Sequence, residues 1–136
     1  MIRALLQKRM PDAHGSGEFG APRGTHTHHG VDYACEAGTQ ILSPVAGVVT
    51  KLGYPYGDDL SYRYVEIDTG NGLYHRVFYV WPLVGVGIMV VPDDVIGEAQ
   101  DIAQRYSHNG QMNNHVHYEV VRYVDGKKEY LDLGDL

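Results

Sequence analysis

Cysteine is nearly absent: Cys35 stands alone in 136 residues, so no disulfide framework within the chain can hold this fold together. A chain so sparing of cysteine suits synthesis in a reducing compartment. Basic residues are also in the minority. Lys and Arg number 11 against 17 Asp and Glu, for a formal net charge of −6, and this balance excludes a general affinity for nucleic acid, which needs a basic surface to release counterions from phosphate. No apolar run is long enough to span a bilayer, and the first ten residues carry Arg3, Lys8 and Arg9 without a secretory h-region or cleavage site. The expectation is cytoplasmic synthesis without a signal peptide and no membrane partner. Heptads, tandem repeats and low-complexity segments are missing as well.

The length fits one domain with a genuine core that needs no disulfide or metal staple. A metal site in such a chain is therefore functional before it is structural. Seventeen glycines and eleven tyrosines, together with many Val and Ile residues, favour strands and turns over helices, so the expected class is mainly β. Ile2, Leu5 and Leu6 recur at helical spacing before Pro11, which predicts a short helix or tail over residues 1–13 and a single β domain over 14–136. Strands are predicted at 41–43, 47–52, 61–68, 73–81, 84–91, 95–97 and 115–124, with Gly70-Asn71-Gly72 turning the clearest hairpin. Asp101 to Tyr106 has room for one or two helical turns, and Tyr130-Leu131 is placed to pair back after the Asp125-Gly126 turn. Cys35 has no basic neighbour in sequence and reads as a small buried hydrophobe rather than a nucleophile or ligand.

Chemistry concentrates in two stretches, His28-His29-Gly30-Val31-Asp32 and His115-Val116-His117. Zinc is commonly bound by imidazole nitrogen and carboxylate oxygen at about 2.0–2.2 Å, and a catalytic zinc keeps three protein ligands and one position for water. His28, Asp32 and one histidine of the later pair satisfy that count. On a strand, His115 and His117 share a face while Val116, Tyr118 and Val120 share the other. One histidine can then hold the metal while its neighbour faces the same reaction space. With eight histidines in the chain, an accidental His-x-His pair is expected about half the time, so the pair alone is a weak motif. His14, His26 and His29 lack the His-x-x-x-Asp spacing to Asp32, and the paired Asp58-Asp59 fits a solvated turn.

The ordered combination is far more specific. His28-His29-Gly30-Val31-Asp32, Gly38-Thr39, Pro44-Val45-Ala46-Gly47-Val48-Val49, Asn71-Gly72, Val95-Ile96-Gly97 and His115-Val116-His117-Tyr118-Glu119-Val120 span roughly residues 14–122. In that order they resemble the lysostaphin-type zinc endopeptidases, which cleave peptide cross-links or bridges in bacterial peptidoglycan. The resemblance implies a compact, mostly antiparallel β domain of the duplicated-hybrid-motif kind. It also implies one zinc ion held by His28, Asp32 and His117, with His115 as the unliganded general base. In active members of this family a Tyr-x-His triplet follows the central hairpin, and here it reads Tyr79-Val80-Trp81. An indole donates one hydrogen bond but cannot accept or carry a proton. His75 shares strand parity with Trp81 but lies six residues away, about 20 Å along an extended strand.

His14-Gly15-Ser16-Gly17-Glu18-Phe19, Arg23, Gly30 to Cys35 and Phe78-Tyr79-Val80-Trp81-Pro82 are similar to the vertebrate secreted chemotaxin branch of the same fold, which keeps the zinc site without that histidine. Two readings follow. The first is a zinc metalloendopeptidase acting on peptidoglycan stem or cross-bridge peptides, a bacterial or bacteriophage lytic factor that reaches the cell wall after lysis, export or virion delivery. In it His115 is the base, and Tyr79 or Trp81 offers a hydrogen bond to the oxyanion. The second is a zinc-retaining binding or structural module with impaired turnover.

Overall fold

The computed structural model describes residues 30–105 and 114–131, together with the backbone of three two-residue strands, Gln7–Lys8, Pro22–Arg23 and His26–Thr27. These three are β1, β2 and β3; β4 is Val31–Ala34, β5 Gln40–Leu42, β6 Gly47–Gly53 and β7 Tyr64–Asp68. Next come β8 (Tyr74–Phe78), β9 (Val80–Pro82), β10 (Met89–Val90), β11 (Val95–Ala99), β12 (His115–Val124) and β13 (Lys127–Tyr130). The class is mainly β, as the sequence predicts. Of the helix expected over 1–13, only Gln7–Lys8 is described, and it pairs as a strand with Tyr33 and Ala34 of β4. Among the described residues no helix is long and apolar enough to cross a membrane.

The large sheet runs β1-β4-β12-β8-β7-β6-β10 with β13 paired to β12, and a three-stranded sheet runs β5-β11-β9. The pairings of both sheets are antiparallel. The core lies between the sheets: Val49, Val65, Ile67, Val77, Val116, Tyr118 and Val120 of the large one pack with Ile41, Val80, Ile96 and Ala99 of the small one. Alternation along β12 and β8 puts those residues on one face. The opposite face therefore carries Asp32, Glu66, Arg76 and Glu119, and these too are buried.

The β7–β8 hairpin turns at the predicted glycines, Gly70 and Gly72, with φ of +86° and +85°, angles that suit residues without Cβ. Asp68 Oδ1 accepts from the Gly70 amide at 2.7 Å, which helps close the turn. Three predicted strands are shorter than expected, and of the 61–68 run only Tyr64–Asp68 is strand. Gly85 and Gly87 bend the 84–91 run, where Ile88 N donates to Gly85 O, so the strand is confined to Met89–Val90 beside Val48 and Gly47, with Gly87 N donating to Val49 O and Val49 N to Ile88 O. The 73–81 run is broken at Tyr79, whose φ of +69° ends β8 and passes the chain to the second sheet as β9. Strand parity does not carry through such a residue. His75 and Trp81, of equal parity in the sequence, thus end in unlike places. Of the helical turns predicted at 101–106, the described residues hold one 3₁₀ turn at 103–105, with Asn114 Oδ1 accepting from the amides of Ile102 and Ala103.

His75 is buried in the core, and its Nδ1 lies 2.6 Å from the Tyr118 hydroxyl. Burial pushes its pKa down to about 4 from 6.5, so the ring is held neutral beside the Tyr118 hydroxyl. A group depressed on folding adds stability above its unfolded pKa, and that stability is lost as pH falls from about 6.5 through about 4. The expected contribution is roughly 3 kcal/mol. Urea unfolding across this window should show a slope that His75→Gln flattens; equal slopes would show that His75 does not titrate on unfolding. Cys35 is partly buried against the core, and desolvation raises its thiol to about 11, which matches the expected inert hydrophobe.

Candidate metal and catalytic centre

β4 and β12 run antiparallel with Asp32 directly opposite His117 and Ala34 opposite His115, so one register brings three functional groups to one face. Asp32 Oδ1 lies 2.9 Å from His117 Nδ1, and its Oδ2 lies 3.5 Å from His115 Nε2. A single buried carboxylate thus touches both histidines. Gly30 allows the chain to enter β4 this way. Its φ is +126°, and a Cβ there would stand 2.3 Å from the Tyr118 carbonyl oxygen and 3.0 Å from His117 Cε1, so only glycine fits beneath the ring.

The two histidines are held differently. His117 has a second carboxylate at its other nitrogen: Nε2 is 3.0 Å from Glu119 Oε1, and the edge of Phe78 meets the ring at a centroid distance of 5.4 Å. Burial works against the imidazolium, but hydrogen bonds to Asp32 and Glu119 outweigh it and raise His117 to about 9. Both ring nitrogens thus face carboxylate oxygens. His115 is buried, with the Tyr79 ring set perpendicular to it at 5.6 Å. Tyr79 holds its left-handed backbone through Tyr79 N to Arg63 O and Gln100 N to Tyr79 O, both 2.8 Å. Strain of this kind in a non-glycine residue gathers at functional sites.

Of the residues predicted from sequence, Asp32, His115, His117 and Tyr79 come together. Trp81 lies on β9 opposite Glu98, with half of its surface exposed. His28 lies outside the described residues. Among the described residues no set of three His, Cys, Asp or Glu side chains gathers as a metal-binding group. Sequence reasoning gave no role to Glu119, Arg76 or Glu66. Glu119 was within reach, since two residues past His117 is the same face of the strand; Arg76 and Glu66 join it only through the register of β12 with β8 and of β8 with β7.

The family model of peptidase family M23 matches residues 26–132. The chain belongs to peptidase family M23. Among M23 structures it is similar to the catalytic domain of the prophage-encoded M23 protein EnpA from Enterococcus faecalis, in a mutant form, with a TM-score of 0.67 at 18% identity over 95% of this chain and 91% of that one. It is similar also to the catalytic domain of the antimicrobial peptidase lysostaphin from Staphylococcus simulans, with a TM-score of 0.63 at 19% identity over 85% and 86% of the two chains. A curated relative is leukocyte cell-derived chemotaxin-2 of Bos taurus, 25% identical over 111 residues, or 82% of this chain and 71% of the relative. The M23 fold and the chemotaxin likeness both match what the sequence resembled.

Proposed function

We propose that this M23 chain is a zinc-dependent endopeptidase that hydrolyses peptide bonds in the stem or cross-bridge peptides of bacterial peptidoglycan, acting at the cell wall. The observation that carries the reading is that one buried carboxylate reaches both imidazoles of the His-x-His pair. Asp32 Oδ1 lies 2.9 Å from His117 Nδ1 and its Oδ2 3.5 Å from His115 Nε2, with the Tyr79 ring against His115.

The residues fit a divalent cation. Asp32, Glu119 and Glu66 are buried with Arg76 as the guanidinium among them, and such an excess of buried negative charge favours a cation. Carboxylate oxygen and imidazole nitrogen form a donor set that zinc accepts. His28, Asp32 and His117 would hold it, with Nδ1 of His117 as the donor because Glu119 occupies Nε2. When bound, zinc polarises the scissile carbonyl and lowers the pKa of water. Asp32 would hold the cation and lies beside His115, its Oδ2 3.5 Å from Nε2. His115 would receive the water proton and deliver it to the leaving amine. Tyr79, whose ring meets His115, would donate to the developing oxyanion, with Trp81 as the alternative donor.

A second reading is favoured by Trp81, which stands where a histidine is expected and leaves no proton carrier there: a zinc-retaining module that binds without efficient turnover. Incubating zinc-loaded protein with purified sacculi of several chemotypes, followed by mass spectrometry of released muropeptides, separates the two. A new free amine at one defined peptide bond is expected. Retention on sacculi with no released fragment on any chemotype would favour the binding module.

A further inference from the structure

Behind His117 a chain of buried charge crosses three strands. Glu119 of β12 is opposite Arg76 of β8, which is opposite Glu66 of β7. Glu119 divides its oxygens: Oε1 is 3.0 Å from His117 Nε2 and Oε2 is 3.6 Å from Arg76 Nη1. Arg76 sends Nε to Glu66 Oε2 at 2.8 Å and Nη2 to the Tyr123 hydroxyl at 3.1 Å, and Thr50 donates to Glu66 Oε1 at 3.0 Å. Three separate guanidinium nitrogens thus engage three separate partners. Taking these ions out of water is costly, and apolar residues of similar size often stabilise a fold as well or better. A stability role therefore accounts poorly for them.

We propose that Arg76 is a positioning residue that acts through Glu119 on His117. This inference rests on the metal-site reading above. Glu119 accepts the Nε2 proton, which leaves Nδ1 turned towards Asp32 as the donor for the cation. Arg76 forms an ion pair with the far oxygen of Glu119 at 3.6 Å, which favours the carboxylate orientation that faces His117. Metal-bound histidines usually donate their second nitrogen to such a partner, and losing it typically costs about 10–100-fold in metal affinity. Charge alone predicts the reverse for Arg76. Removing a buried cation beside the site makes it more negative, so a purely electrostatic Arg76 would weaken metal binding and its loss would tighten it.

The test titrates the chelator-stripped full chain with zinc in competition with a chromophoric chelator, and with cobalt followed by its visible spectrum. Glu119→Gln should weaken zinc binding by about 10–100-fold and Arg76→Met by about tenfold. The double variant should bind no more weakly than Glu119→Gln alone, because one residue works through the other. Arg76→Lys should rescue little, since an ammonium cannot reproduce the fork. Both single variants should shift the cobalt bands. If melting curves show that Arg76→Met does not fold, Arg76→Met/Glu66→Gln removes the stranded charge and should show the same loss. Unchanged or tighter binding by the Arg76 variants, or losses that multiply in the double variant, would overturn the positioning role while the metal site stands. A wild-type chain that binds neither metal would overturn both.

Discussion

His115→Ala should keep its zinc and lose hydrolysis by about 10²–10⁴-fold, the usual contribution of a general acid–base group. His117→Ala should lose both. The asymmetry follows from what each ring touches. Removing His115 leaves Asp32 opposite His117 across the β4–β12 pairing and leaves Glu119 on Nε2, so the cation keeps its donors while the proton has no carrier. Removing His117 deletes the donor itself and leaves Asp32 and Glu119 as buried carboxylates facing a gap. Zinc content after dialysis, measured beside muropeptide release from the same preparations, reads the two effects separately. Loss of zinc from His115→Ala would make His115 a ligand and would require another base. Retention of zinc by His117→Ala would remove it from the donor set.

Much of this centre was legible before the fold was known, because strand geometry converts spacing directly into facing. His115-x-His117 predicted two imidazoles on one side of β12, and Val116, Tyr118 and Val120 duly pack in the core on the other. Register was not legible in this way. Nothing in the sequence says that Asp32 lies opposite His117, or that Glu66, Arg76 and Glu119 form one row, because pairing depends on turns and packing elsewhere. Backbone sign was hidden too. The run from Leu73 to Trp81 has the composition of one strand, yet Tyr79 turns left-handed within it, an uncommon conformation for a residue with a side chain that size. That single angle sends His75 to the core beside Tyr118 and Trp81 to a half-exposed place on β9. Glycines decided the 84–91 run: the apolar residues promised a strand, and Gly85 and Gly87 made a turn.

Trp81→His should raise the rate of peptide-bond cleavage, by about 10–10³-fold, if the oxyanion lacks a partner in the wild-type chain. An imidazole adds what the indole cannot supply, a group that both donates a hydrogen bond and carries positive charge. The fold should tolerate the exchange. Trp81 is half exposed, and its place on β9 is kept by backbone pairing with Glu98 of β11 and by the buried Val80 beside it. The lost indole packing should therefore cost about 1–2 kcal/mol, well below the burial of a whole aromatic side chain. Initial rates of free-amine release from sacculi, with melting curves for each protein, measure gain and cost together. Tyr79→Phe supplies the complementary arm, because the Tyr79 ring already meets His115 and its hydroxyl lies 3.4 Å from that of Tyr56. If Trp81→His is no faster than wild type while Tyr79→Phe is slower by tenfold or more, the oxyanion is served by Tyr79, and the tryptophan is a neutral exchange in an enzyme that had already moved the task two residues back. If both variants and the wild type are inert on every sacculus while binding persists, turnover has been lost and the module binds the wall without cutting it.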